Sequence, residues 1–177
     1  MRWLVSFALF LAIGVAWALA SPIYSGPDEP AHVIHAAAVA RGDLVGTERK
    51  GTPFVEVTAP RLYKPGEICY AFHPETPASC YRLSSRTGDG TLETYTARYL
   101  PPYGALLGLG SYWYSPGAGQ IYLMRLLSAA VIAALLASCI TTVAAVGSVG
   151  FAAGFLFALT PMALYFMGLL GFTSPMK

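Results

Sequence analysis

Asp28, Glu29, His32 and His35 fall within eight positions, in the stretch YSGPDEPAHVIHAAAVARG that covers residues 24–42. Carboxylates and imidazoles set that close support three kinds of chemistry. In the plainest, Asp28 accepts backbone N–H bonds at the start of a helix with Pro30 in its first turn and Gly42 beyond its end. The Pro-Asp-Glu-Pro turn then only leads the chain onward. In the second, Glu29 and His32 form a Glu-x-x-His metal pair of the type carried by bundle helices; a matching second pair is needed, and the sequence has none. In the third, a carboxylate acts as general base on a bound hydroxyl. A helix begun at Pro30 sets Glu29, His32 and either His35 or Ala36 near one face, so spacing alone does not choose. The third use carries a physical condition. An aspartate with its ordinary pKa near 3.9 is a weak base at neutral pH. Raising it to ~6.5 takes about 3.5 kcal/mol of bias against the charged form, which only a desolvated pocket supplies.

What surrounds these residues decides where they sit. Only 11% of the chain is charged and 55% is hydrophobic, with a mean hydropathy of +0.55, whereas a soluble domain carries about 25% charged residues. All nine acids lie between Asp28 and Glu93, and eight of the eleven Lys and Arg between Arg41 and Arg98. Outside that window only Arg2, Arg125 and Lys177 are charged. A soluble fold needs polar residues along every helix. The pattern predicts an α-helical integral membrane protein with one large polar loop.

Three segments have the length and composition to cross a bilayer, which takes roughly 20 apolar residues. They occupy residues 1–20, 121–146 and 149–172, with a short tail at 173–177. Pro161 predicts a kink in the third. Ser138, Thr141 and Thr142 in the second either meet a neighbouring helix or bond back to their own preceding turn. The first segment has a rival reading, because Arg2, an apolar run and Ala-Leu-Ala at 18–20 also resemble a signal peptide with its cleavage site. Its length exceeds a usual signal core of about 7–15 residues, which favours an uncleaved helix. Under either reading the loop at 21–120 lies outside the cytoplasm, an orientation that rests on Arg2 staying inside.

Within the loop, Cys69 and Cys80, with ten residues between them, read as a disulfide of an oxidising compartment. Zinc, with His73 as a third ligand, is the alternative, at a spacing that matches no common site. Cys139, in the second span, reads as a small apolar filler. FVEVTA at 54–59 alternates like a short strand, and LSSRTGDGTLETY at 83–95 reads as a turn-rich connection. YLPPYGALLGLGSYWY at 99–114 is apolar and rich in Tyr and Trp, which suits a helix lying on the membrane surface or re-entering it. No repeat and no phosphate-cradling glycine loop is present, and eight bases against nine acids give the loop no basic field for nucleic acid.

Taken in order, GPDEPAH after a first membrane helix, CYAF and ASC, YLPPYGALL, and RLLSAA opening the next helix cover most of the chain. This series resembles the bacterial integral-membrane proteins grouped as domain-of-unknown-function family 2142. That family is in turn similar to the GT-C glycosyltransferases, such as the protein O-mannosyltransferases and the lipid A aminoarabinose transferase, which take sugars from polyprenyl-phosphate carriers. The resemblance implies the N-terminal portion of a GT-C-like fold in the bacterial cytoplasmic membrane. Its partners would be the lipid bilayer, a polyprenyl-phosphate sugar as donor and an envelope glycan as acceptor. Asp28 would be the base that deprotonates the acceptor hydroxyl, with Glu29 orienting it or binding a divalent metal. His32 would line the same pocket, and Tyr99, Pro101, Pro102 and Tyr103 would shape the surface helix covering it. Arg125, about one turn inside the second span, would meet the carrier's phosphate; its other reading is an arginine reaching up to the outer surface.

Enzymes of that architecture use more membrane helices than three, so the expectation is an N-terminal fragment, inactive by itself. Two functions of different class follow from the sequence. One is the front part of a lipid-linked-sugar glycosyltransferase. The other is a non-catalytic membrane protein whose disulfide-stapled loop binds a partner or an envelope glycan. The sugar, the acceptor and the metal requirement are not written in the residues.

Overall fold

The computed structural model describes residues 1–26, 28–99, 101–113, 115–144, 147–158 and 160. In chain order the elements are α1 (Arg2–Ala20), α2 (Glu29–Val39), β1 (Thr47–Glu48), β2 (Val55–Pro60), β3 (Asp89–Thr94), α3 (Pro101–Gly108), α4 (Gly110–Trp113), α5 (Ala118–Ala144) and α6 (Ser148–Ala158).

α1 and α5 are long and apolar enough to cross a membrane, at 19 and 27 residues, or roughly 28 and 40 Å. They lie antiparallel. Trp3 Nε1 donates to Ser138 Oγ at 3.0 Å near one end, and Arg125 Nη1 donates to the Ala18 carbonyl at 2.8 Å near the other. Their seam repeats every four residues: Ser6, Phe10, Gly14 and Ala18 of α1 are buried, as are Ala129, Ala133 and Ala137 of α5. Small residues at that interval let two helices approach closely where lipid tails offer no hydrophobic drive. Leu4, Leu9, Leu19, Leu135 and Val143 point outward and are exposed, the composition of a lipid-facing surface. Because the two helices run antiparallel, everything between them emerges at one end of the pair.

That intervening chain is built around α2. Ala36, Ala37 and Ala38 are fully buried on consecutive positions, so the C-terminal half of α2 is enclosed on every side, as in a helix at the middle of a fold. β2 and β3 cover one side and α3 another. A Cβ on Gly108 would stand 2.7 Å from the Ala36 carbonyl oxygen, so α3 approaches α2 as only glycine permits. Past α2, Gly42 takes φ +85° while its N–H reaches the Val39 carbonyl and that of Asp43 reaches Ala38. This is a Schellman closure, and it ends the helix where the sequence places its stop.

The sheet runs β1-β2-β3, antiparallel throughout. Val55, Val57, Ala59, Leu92 and Thr94 face α2, and Glu56, Thr58, Thr91 and Glu93 face outward. The strand expected at 54–59 is therefore present, but the segment at 83–95 is not merely a connection. Its Asp and Gly residues carry a strong turn signal, and only the four positions from Thr91 to Thr94 alternate. β3 exists because β2 offers it a register partner, which no local pattern reveals. The architecture is thus a pair of apolar helices with a mixed helix-and-sheet loop, not helices alone.

Three other expectations meet the structure. The segment at 99–114 forms two short helices, α3 and α4, interrupted at Leu109, and α3 packs on both α2 and α5. Thr141 and Thr142 bond back to the Ala137 and Ser138 carbonyls, whereas Ser138 bonds back to Ala134 and also accepts from Trp3. α6 covers the first part of the third predicted span, and the rest of that span, with Pro161 and the tail at 173–177, lies outside the described residues.

Candidate functional site

Arg125 sits two turns into α5, fully buried, and meets Glu29 at the first position of α2. Nε reaches Oε1 at 2.5 Å and Nη2 reaches Oε2 at 2.8 Å, a two-pronged pair. The remaining N–H groups donate to the carbonyls of Ala18, Ser21 and Pro22, where the chain leaves α1. All five donors of the guanidinium are engaged, and the Tyr122 ring lies 5.4 Å from its Cζ. One side chain therefore ties the end of α1, the start of α2 and the body of α5 together. Neither use read from the sequence fits this geometry. Arg125 does not reach the surface, because Glu29 balances its charge in the interior, and it has no N–H left for a phosphate. Each carboxylate oxygen of Glu29 accepts one of these bonds, and among the described residues no three His, Cys, Asp or Glu side chains converge on a metal site. The pair fixes the first turn of α2, where a negative charge also suits the helix dipole.

Asp28 stands one residue before that anchor. It occupies the N-cap position with φ −105° and ψ −1°, and its side chain makes no capping bond. Instead its Oδ1 accepts a hydrogen bond from the hydroxyl of Tyr95. Tyr95 lies between Thr94 and Thr96, whose hydroxyls donate to the Ala31 carbonyl at 3.0 and 2.8 Å. Both grips are on α2, so the end of β3 is clamped to the same helix that presents Asp28. The Tyr95 ring also meets Phe54 in a tilted contact at 6.3 Å. Burial and the adjacent Asp28 carboxylate both push the Tyr95 phenol up, so it stays protonated and donates. Asp28 and Tyr95 are each only half-buried.

One turn further along α2, His32 is buried, with its ring 6.2 Å from Tyr99 and 6.1 Å, edge-on, from Tyr103. Burial brings its pKa down to about 4 against the opposing pull of Asp28, so it is a neutral imidazole at pH 7. Tyr103 carries α3 over His32 and shares a hydrogen bond with Ser128 of α5 at 3.1 Å. Pro101 and Pro102 open α3, where a missing N–H costs nothing. Tyr99, Pro101, Arg98, Leu44 and Val45 line a cavity of about 430 Å³ beside this group. His35, a turn beyond His32, is buried against Gly104 of α3 and its Nε2 lacks a hydrogen-bond partner. So His32, Tyr99, Tyr103 and the start of α3 come together next to Asp28, whereas Arg125 lies beneath them. Tyr95 escaped the sequence reading: it sits in a turn-rich stretch with no motif around it.

Cys69 and Cys80 form a disulfide with Cα atoms 6.3 Å apart. Within and beside that disulfide loop, Tyr70 donates to the Ile23 carbonyl at 2.6 Å and Tyr81 packs on Tyr24. The loop is thereby fastened to the segment leaving α1. Phe72 at its tip is fully exposed, at φ +63°.

Two antiparallel apolar helices with an outward-facing lipid surface, joined by a polar unit at one end, define a protein of the lipid bilayer. A family model described as a predicted membrane protein (DUF2142) matches residues 10–174, and the chain belongs to that family. Comparison with curated proteins and with solved structures gave no match.

Proposed function

We propose that this chain carries the acceptor-activating part of a membrane glycosyltransferase that draws sugar from a polyprenyl-phosphate donor to modify an envelope glycan. The observation that carries the reading is Asp28: a half-buried carboxylate next to the membrane helices, excused from helix capping and held by a phenol. An aspartate serving as a helix cap would accept from amides of the first turn, and Asp28 does not. In the step proposed, an acceptor hydroxyl gives its proton to Asp28 as its oxygen bonds to the anomeric carbon. The carbon–oxygen bond to the carrier breaks, and its electron pair leaves on the phosphate. The neutral His32 and the Tyr99 and Tyr103 rings offer a surface on which a sugar can stack and bond. The cavity beside Tyr99 has the dimensions of a small-ligand site.

On this reading the loop at 21–120 faces away from the cytoplasm of a bacterial cell, and residues 149–172 supply a third span. Glu29 and Arg125 set the height of Asp28 above the bilayer. The test is transfer of labelled sugar from a polyprenyl-phosphate donor into acceptor by membranes containing the protein. Membranes lacking it serve as control, and equal transfer by both would sink the reading.

One observation favours a second function. The exposed Phe72 at the tip of the stapled loop is the feature expected of a surface that binds a partner or an envelope glycan without catalysis. In that case Phe72→Ser abolishes binding and Asp28→Asn leaves it intact.

A further inference from the structure

We infer that Tyr95 is the positioning residue of the Asp28 site: its hydroxyl fixes Oδ1 so that Oδ2 is the oxygen presented to the acceptor. The inference rests on the reading of Asp28 as the base. Four features of the structure carry it. The hydroxyl bonds Oδ1 directly. The residues on either side of Tyr95 both grip the Ala31 carbonyl of α2, so its backbone is tied to the helix that presents Asp28. Phe54 supports the ring edge-on from the start of β2. Asp28 itself has backbone angles unlike the extended ones typical of a capping residue, and makes no capping bond. A carboxylate is a poor director of one proton when it rotates freely between equivalent oxygens. A charge-assisted bond to one oxygen removes that freedom and leaves the other oxygen with a defined direction.

The charged and titratable groups around Asp28 are few. His32 faces it from the next turn of α2, and burial keeps that imidazole neutral. Tyr95 faces it from the connection between β3 and α3, and Tyr99 from the same connection stands against His32. Glu29 beside it is turned away and neutralised by Arg125. Tyr95 is therefore the one group among these that donates a hydrogen bond to the carboxylate.

The test reads the carboxylate without any substrate. The protein in membranes is treated with a carbodiimide plus an amine nucleophile, which modifies protonated carboxyls, across pH 4.5–8. Modification of Asp28 is then quantified by mass spectrometry in wild type and in Tyr95→Phe. The substitution keeps the ring against Phe54 and removes only the hydroxyl. Loss of a hydrogen bond to a charged group raises labelling of Asp28 near neutral pH about ten-fold or more. Thr96→Val, which loosens the tether but keeps the hydroxyl, raises it less. In the transfer assay Tyr95→Phe lowers kcat at nearly unchanged KM, since the bond orients the base and does not hold the substrate. An Asp28 labelling profile that is identical in wild type and Tyr95→Phe overturns the inference. Absence of sugar transfer by the wild type would instead remove the glycosyltransferase reading, and the labelling comparison would still judge Tyr95.

Discussion

Arg125 of α5 and Glu29 of α2, 96 residues apart in sequence, meet in a two-pronged ion pair that is fully buried, with Nε and Oε1 2.5 Å apart. An arginine inside an apolar helix is costly unless paired, and here the partner is the residue next to the candidate base. Removing one member leaves an uncompensated buried charge, at a cost of about 3–5 kcal/mol. Arg125→Met and Glu29→Leu should each lower the thermal midpoint in detergent sharply, and the double variant should recover much of the loss. Lysine at 125 should rescue poorly, because one ammonium cannot reach both carboxylate oxygens and three carbonyls together. Additive losses in the double variant would show that the two residues do not act as a pair.

The buried His32 gives the fold an acid-sensitive limb. Its folded-state pKa is lowered to about 4 from the usual 6.5. Between those values the unfolded chain binds a proton that the folded chain refuses, so stability falls as pH drops through that window and is unaffected above it. The full effect is about 3 kcal/mol below pH 4. Chemical denaturation followed between pH 7.5 and 4 should therefore show a shallower decline in His32→Gln than in wild type. Equal slopes would mean that the imidazole is not held neutral by burial.

The antiparallel arrangement of α1 and α5 places the whole polar unit at one end of the helix pair, and the proposed function sets that end outside the cytoplasm. Thr87 lies on the exposed stretch before β3. Thr87→Cys, combined with Cys139→Ala, should react with a membrane-impermeant maleimide in intact cells. Labelling that requires lysis would reverse the topology.

How much of this was legible in the residues follows from the range of each interaction. α1 and α5 are visible because length and apolar composition are local properties, and α2 because its cap, proline and terminal glycine are adjacent in sequence. The clustering of His32, Tyr99 and Tyr103 followed only from the family resemblance. β3 stayed hidden because four alternating residues mean little until β2 pairs with them. Tyr95 stayed hidden because its orientation is set by two threonines gripping a carbonyl more than sixty residues away. The role of Arg125 could have been anticipated. A buried guanidinium demands a carboxylate, and once α1 and α5 are paired, the acids nearest its level are Asp28 and Glu29.

The most direct test of the central claim is Asp28→Asn in the membrane-embedded protein. The asparagine oxygen still accepts the Tyr95 hydrogen bond, so expression and thermal stability should stay near those of wild type, but it cannot take up a proton. Transfer of sugar from the polyprenyl-phosphate donor should fall at least about 100-fold, the lower end of what general-base catalysis contributes. Full transfer activity in a stable Asn variant would contradict the account and leave Asp28 as a structural partner of Tyr95.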